Sequence, residues 1–322
     1  MITYMIKRLG QALLVTLAVS FICFVIFQYT GNPVWALVGK YATQEQQDIV
    51  IHKLGLDKPF YVQYTVFLKN ILHGNFGMSY VARVPVLGLI LERLPASIEL
   101  AASAMLFAVL TGTSLGALAA LHPRALSSRL IMAGSLFGIS LPTFLTGILL
   151  GLVFAVQLRV LPAFGRGEVV RVFGNWRTGL LSLSGLSHLV LPAATLSLRQ
   201  LAMILRLTRA GMAEAMREDY VRTAWAKGLS QGTVVFKHAL RNVLIPIVTM
   251  IGLQFGSLLA FATITETIFQ WPGVGNLLLF SIYESDNPTV VAYIMLVSVI
   301  IVLLNLLVDL SYGLLDPRVR YV

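Results

Sequence analysis

The stretch Glu218-Asp219-Tyr220-Val221-Arg222-Thr223-Ala224-Trp225-Ala226-Lys227-Gly228-Leu229-Ser230, continued by Lys237-His238-Ala239-Leu240-Arg241-Asn242-Val243-Leu244-Ile245-Pro246, is polar and basic inside an otherwise apolar chain. Its pattern is helical. Val221, Ala224, Trp225 and Gly228 fall at i, i+3, i+4 and i+7, on one helix face, while Arg222 and Lys227 lie off that stripe. Gly228 suits a helix C-terminus, where a left-handed residue is needed. Ser230 suits the cap of a second helix starting near Gln231. Small side chains at such a corner let the backbone of another protein come close. The segment reads as a docking surface for a soluble partner on the cytoplasmic side of a membrane protein, and an amphipathic helix lying on lipid headgroups fits the same pattern.

Working outward, the chain of 322 residues is 57% hydrophobic and 12% charged. Soluble proteins average about 25% charged, so lipid is the solvent this composition calls for. The formal charge is +10, without one long basic run, which argues against nucleic acid as a partner. Cys23 is the single cysteine; it excludes an intrachain disulfide framework and a thiolate cluster, and its apolar surroundings make it a buried bystander. Lys7 and Arg8 precede an apolar run from Leu9 to about Phe27, longer than a signal h-region and without a clean cleavage site, so an uncleaved first span is expected.

A membrane-spanning helix needs about 20 mostly apolar residues. Six candidates emerge, at residues 9–30, 97–121, 130–157, 188–208, 243–265 and 289–313, giving an all-α polytopic fold. Pro142 predicts a kink in the third. Pro246 stands near the start of the fifth, where proline costs a helix little. The ends and loops 1–8, 122–129, 206–242 and 314–322 hold thirteen Lys and Arg, against ten in a length about twice as great on the other side. Both termini are therefore expected in the cytoplasm, in the inner (plasma) membrane of a cell. The chain reads as a single transmembrane domain over 1–322. Residues 31–96 form an external segment after the first span, with amphipathic helices around Gln44–Leu54 and Tyr61–Leu72, and 206–242 form a cytoplasmic loop. Residues 158–187 read as a second, irregular external segment.

The loop resembles the coupling (EAA) loop of ABC-importer permeases, and it is closest to the dipeptide, oligopeptide and nickel family. The general motif is Glu-Ala-Ala, three residues, Gly, then a downstream Leu-Pro. Here Arg222-Thr223-Ala224 take the first place, Trp225-Ala226-Lys227 the gap, and Gly228 the glycine; Ile245-Pro246 comes later than the general spacing. The peptide-type variant Asp-Tyr-x-Arg-Thr-Ala-x-Ala-Lys-Gly, then His-Ala-Leu-Arg-Asn, matches Asp219–Gly228 and His238–Asn242 closely, with Trp225 where Arg is more usual. Gly55-Leu56-Asp57-Lys58-Pro59, His73-Gly74-Asn75-Phe76-Gly77, Thr265-Glu266-Thr267-Ile268-Phe269, Trp271-Pro272-Gly273-Val274-Gly275 and Asp316-Pro317-Arg318 resemble other segments of the family; Asn32-Pro33 departs mildly from it.

The resemblance implies half of a translocation channel. A homologous second permease subunit completes it, two ATP-binding subunits dock below, and an external substrate-binding protein delivers di- or oligopeptides, with nickel or glutathione-like solutes as alternatives. Asp219, Tyr220, Arg222, Thr223, Ala224, Ala226, Lys227 and Gly228 are then the ATPase-coupling residues. Chemistry in this chain is not expected. No Gly-x-x-x-x-Gly-Lys-Ser/Thr, Gly-x-Ser-x-Gly or His-Glu-x-x-His motif occurs, and neither a metal site nor a cofactor is anticipated. A stand-alone channel, a secondary transporter and an intramembrane enzyme are the other classes; internal repeats and paired broken helices would mark a secondary transporter, and catalytic polar pairs an enzyme.

Arg199, inside the fourth span, reads either as a pathway-lining cation or as one snorkelling to the interface. Asp309, in the sixth, pairs with a basic residue such as Arg318 or sits in headgroups. Glu266, Trp271, Pro272 and Gly273 belong to a loop expected to lie over the outer mouth of the pathway, outside the helix cores, touching cargo or binding protein.

Overall fold

The computed structural model describes residues 2–29, 43–174 and 176–315. Twelve helices are named in chain order: α1 (Ile2–Tyr29), α2 (Gln44–Leu54), α3 (Phe60–Leu72), α4 (Val86–Leu121), α5 (Leu126–Ser140), α6 (Thr143–Leu150), α7 (Leu183–Ala215), α8 (Asp219–Ala226), α9 (Leu240–Phe261), α10 (Thr263–Ile268), α11 (Val274–Tyr283) and α12 (Asn287–Leu315). π-helical turns extend α6 through Gly151–Gln157 and precede α9 at Thr233–Ala239. Residues Val170–Phe173 (β1) and Trp176–Thr178 (β2) pair antiparallel. That ribbon gives order to part of the segment expected to be irregular; Val170-Arg171-Val172-Phe173 has the alternation and β-branching a strand favours.

Among the described residues, four helices are long and apolar enough to cross a membrane, within α1, α4, α7 and α12. Two bent pairs, each counted as one span, bring the number up to six: Leu126–Ser140 with Thr143–Gln157, bent by 112°, and Thr233–Leu244 with Pro246–Phe261, bent by 47° within α9. The sequence boundaries need four corrections. The second span starts at Val86, because Pro85 opens the helix and the run continues through Glu92, Arg93 and an internal Pro95, charges that broke the apolar signal. The third is broken rather than kinked. Leu141 is extended (ψ 132°) and Pro142 becomes the N-cap of α6, as a residue before proline is driven out of the helical region. In the fifth, Pro246 is interior, at the bend, since helical structure already starts at Thr233. The fourth span also runs on to Ala215, so residues 206–215 of the expected loop are helix.

Helix α7 is the hub: α4 packs along it, and α5, α6, α9 and α10 touch it. Glycine sets the distances. A Cβ at Gly112 would lie 3.0 Å from the Leu201 carbonyl, and one at Gly116 2.6 Å from that of Leu205. Gly138 of α5 stands in the same relation to the Leu198 carbonyl (2.9 Å), and Gly211 of α7 to Val243 of α9 (2.9 Å). Lipid offers apolar side chains no reason to leave it, so such close backbone packing is what holds helices together there. The largest buried cluster gathers Leu100, Ala104, Ala108, Ile204, Met212 and Val243 along this seam. At one edge α1 packs on α12, and α3 lays Phe60, Tyr64 and Phe67 against Phe24 with centroids 5.1–5.4 Å apart.

Gly116→Ala and Gly134→Ala should therefore diverge. Gly134 has open space around it, so alanine there stabilises by about 0.5–1 kcal/mol. At Gly116 the methyl forces α4 off α7 and costs about 1–3 kcal/mol. Thermal unfolding of the purified protein in detergent reads both; an unchanged midpoint for Gly116→Ala would show that the seam is loose.

Candidate functional site

Helix α8 is joined to the end of α7 by a tight turn in which the Arg217 and Glu218 amides donate to the Glu214 and Ala215 carbonyls. Asp219 in its first turn meets the positive end of the helix dipole. Val221 and Ala224 are buried in the cluster that holds Met212, Ala215, Val234 and Val235. Burying a valine side chain is worth about 1.5–3 kcal/mol, so these two seat the helix. Its C-terminus closes as a Schellman turn: the Gly228 amide donates to the Trp225 carbonyl (2.9 Å) and the Leu229 amide to that of Ala224 (3.4 Å). Gly228 has φ +73° and nothing within 4 Å of where a Cβ would stand. Ser230 then caps the following turn, its Oγ accepting from the Thr233 amide at 3.5 Å.

The structure divides the expected face. Val221 and Ala224 point inward, whereas Trp225, 43% exposed, and Gly228 point outward. Asp219, Tyr220, Arg222, Thr223, Ala226 and Lys227 are also exposed. Of the eight coupling residues named from sequence, Ala224 is therefore the one that cannot touch a partner directly. Arg222 and Asp219 form an exposed i,i+3 bridge of 3.1 Å, worth little to stability. What remains is two large aromatic side chains, Tyr220 and Trp225, on a short, firmly seated, otherwise polar ledge.

At the other end of the bundle, most of the segment 266–276 is buried, with Thr267 and Gln270 exposed, contrary to the surface loop expected from sequence. Glu266 and Trp271 are fully buried. Ser97 Oγ of α4 donates to Glu266 Oε1 at 2.5 Å, and the Asn276 amide donates to Oε2 at 2.9 Å. Trp271 Nε1 donates to the Ala96 carbonyl at 2.9 Å. A side chain at Gly273 would collide with the Glu266 carboxylate, which explains a glycine there; Pro272 is half-buried. Burial raises the Glu266 carboxyl pKa, and the hydrogen bonds from Ser97, Asn276 and Gly275 and the charge of Arg93 pull against it. The apolar-looking turn is therefore tied to α4 by buried polar groups, and removing residues 270–275 takes out a piece of the core.

Three residues that sequence reasoning missed complete this end. Glu99 is buried and paired with Arg166, and accepts from the Gly179 amide at 3.1 Å. The Arg166 guanidinium also lies 5.8 Å over the Trp271 ring. Asp286, buried just before α12, accepts from Ser79 Oγ (2.5 Å), the Tyr80 amide (2.9 Å) and Thr289 Oγ1 (2.7 Å). The Tyr80 hydroxyl is pushed up to about 12 by burial and by the Asp286 carboxylate. A carboxylate in an apolar run was the available signal for Glu99; nothing local in sequence pairs Asp286 with Ser79. Arg199 is exposed at the middle of α7. Asp309 and Arg318 lie outside the described side chains. Among the described residues, no group of three or more His, Cys, Asp or Glu is arranged to hold a metal.

A mainly helical membrane bundle with a helix–glycine–helix ledge after its central span has relatives among known proteins. The chain matches the model of the binding-protein-dependent transport system inner membrane component over residues 112–321, and that of the N-terminal part of such membrane components over 1–101. It is 42% identical to the di/tripeptide transport system permease protein DppB of Pseudomonas aeruginosa (strain UCBPP-PA14), covering 100% of this chain and 99% of that protein. It is 36% identical to the dipeptide transport system permease protein DppB of Escherichia coli (strain K12), over 100% and 99%, and 38% identical to the glutathione transport system permease protein GsiC of the same strain, over 100% of both. The chain belongs to the family of binding-protein-dependent transport system inner membrane components. It is a permease of the peptide-transporter branch of ABC importers.

Glu266→Ala orphans the Ser97 hydroxyl and the Asn276 amide, each at about 1–3 kcal/mol. The variant should melt well below the parent in detergent. Tyr220→Ala, on the ledge, should melt with the parent. Equal melting of all three would place Glu266 among dispensable surface groups.

Proposed function

We propose that this chain forms half of the translocation channel of a peptide importer. A second, homologous permease subunit supplies the other half. Two ATP-binding subunits dock beneath it, one of them on α8, and an external binding protein delivers the cargo. Both termini lie in the cytoplasm on this reading, as the Lys and Arg distribution implies. ATP binding closes the ATPase pair, and α8 carries that motion into α7 through the three-residue turn at 216–218.

The observation that carries the reading is the ledge itself. Tyr220 and Trp225 are exposed aromatics held in place by buried Val221 and Ala224. Exposed aromatic anchors on a seated helix are where binding energy concentrates in protein interfaces. Resting such a helix on lipid headgroups would leave Arg222, Lys227 and the Gly228 corner without a role in transport.

Peptides are the favoured cargo because relatives named for dipeptide and di/tripeptide transport cover the whole chain. A glutathione-like solute is the second reading, supported by the 38% identical glutathione permease. Uptake of labelled dipeptide against labelled glutathione, in vesicles carrying the cognate binding protein, separates them.

Gly228→Val should leave ATP hydrolysis running while transport falls at least several-fold. A β-branched residue at φ +73° is strained by about 1–2 kcal/mol, which shifts the corner. Trp225→Ala should weaken ATPase binding by about 2 kcal/mol, roughly 30-fold, read by co-purification of the ATPase subunits. Normal transport by Gly228→Val would sink the coupling role. Tags at residues 1 and 322 should both be inaccessible from outside intact cells; labelling of either overturns the topology.

A further inference from the structure

The exposed face of α7 carries a feature the coupling ledge does not use. Arg199, Met203, Arg206, Ala210 and Ala213, then Arg217 in the turn beyond, recur at intervals of three and four residues, so they form one stripe along the helix. All of them are exposed or half-exposed. The opposite face of α7 is closed by α4 at Gly112 and Gly116. Arg199 is the central residue of the 33 in α7, sixteen from either end, or about 24 Å at 1.5 Å per residue. In the apolar span read from the sequence at 188–208, Arg199 stands about 14–17 Å from either end at 1.5 Å per residue, and the interface lies about 15 Å from the hydrocarbon midplane, too far for the side chain to snorkel there. A guanidinium facing lipid at that depth costs about 2.5–3.5 kcal/mol even on the lenient insertion scales.

Two more observations narrow what faces the stripe. Among the described residues, none of Arg199, Arg206, Arg209 and Arg217 is in an ion pair, the Arg206 Nε makes only a long contact of 3.5 Å to the Ser135 hydroxyl of α5, and residues 183–213 contain no Asp or Glu. Towards the α8 end the stripe opens into a cavity of about 530 Å³, lined by Arg206, Arg209 and Arg217 over a floor that includes Leu121, Met132 and Met216. That size is in the range of small-molecule sites, and a cationic rim above an apolar floor suits a molecule with a carboxylate and a less polar body.

We infer that this stripe is the aqueous wall of the translocation pathway and that its arginines form a ladder for the carboxylate of the moving cargo. The inference rests on the permease reading above. Rungs at residues 199 and 206 are about 10 Å apart along the helix, and Arg209 and Arg217 continue the series into the cavity. Several weak sites in sequence let an anion enter and still leave, whereas one bidentate site would trap it.

The test uses the assembled importer in proteoliposomes with Cys23→Ser as background. ATP-driven uptake by that background checks the permease reading separately. Single substitutions Met203→Cys, Ala210→Cys and Ala213→Cys are probed with small anionic and cationic thiosulfonates; three positions keep the result readable if one variant does not assemble. Ala202→Cys and Leu205→Cys, on the buried side, serve as controls. The expected result is labelling of the three stripe positions, little at the controls, and a rate about tenfold higher for the anionic reagent at Ala210→Cys. That preference should fall towards one when Arg206→Gln and Arg209→Gln are added. Labelling without a charge preference would leave an aqueous pathway and overturn the ladder. Stripe cysteines that react only with lipid-soluble maleimide, or that cross-link to the partner permease in every nucleotide state, would overturn the whole inference.

Discussion

The close approach of α4 to α7 is the constraint on which the rest of this bundle depends. In lipid, apolar side chains gain nothing by leaving their solvent, so the helices are held by contact and by backbone proximity. Gly112 and Gly116 bring the two helices close enough that the Leu201 and Leu205 carbonyls occupy the space of the missing methyls. Gly138 does the same for α5, and Gly211 admits Val243 of α9. One helix thus receives three neighbours at glycine distance. Interfaces packed this tightly shift as units rather than deform smoothly, so a push on α7 is passed to α4, α5 and α9. The ledge helix α8 sits directly at its end, and its two inward side chains belong to the same buried cluster as Met212 and Val243.

Much of this was legible. Apolar runs located six spans, the helix–glycine–helix ledge followed from Val221, Ala224 and Gly228, and Gln44–Leu54 was placed to the residue. These are local signals: period, length and punctuation. What failed was non-local. The start of α4 was hidden because Glu92, Arg93 and Pro95 interrupt an apolar run that tertiary contacts make helical. Trp225 was grouped with Val221 and Ala224 because a 100° stripe does not say where its edge meets solvent. The segment after α9 looked like a surface loop because its glycines and proline are turn formers. In the fold those glycines make room for a buried carboxylate held by the nearby Asn276 amide and by Ser97, on a helix far away in sequence.

The two ends of the bundle treat charge in opposite ways, and that asymmetry fits their tasks. At the Trp271 end, Glu99, Glu266 and Asp286 are buried and each is satisfied from within the chain, by an arginine, hydroxyls or backbone amides. A buried charge is tolerated only when its partners are in place, so each carboxylate fixes the segment that supplies them: the ribbon at Arg166 and Gly179, the turn at Asn276, and the strand-like run at Ser79. These are fasteners, and they make the backbone between spans part of the core. On α7 no arginine is paired with a carboxylate among the described residues, and Arg206 has only a long contact of 3.5 Å from Nε to the Ser135 hydroxyl; on α8 the aromatics stay exposed. Polar groups satisfied internally can only hold. Groups left open along one helix and at its end can be met by something else, and that helix is the one to which the largest share of the bundle is packed.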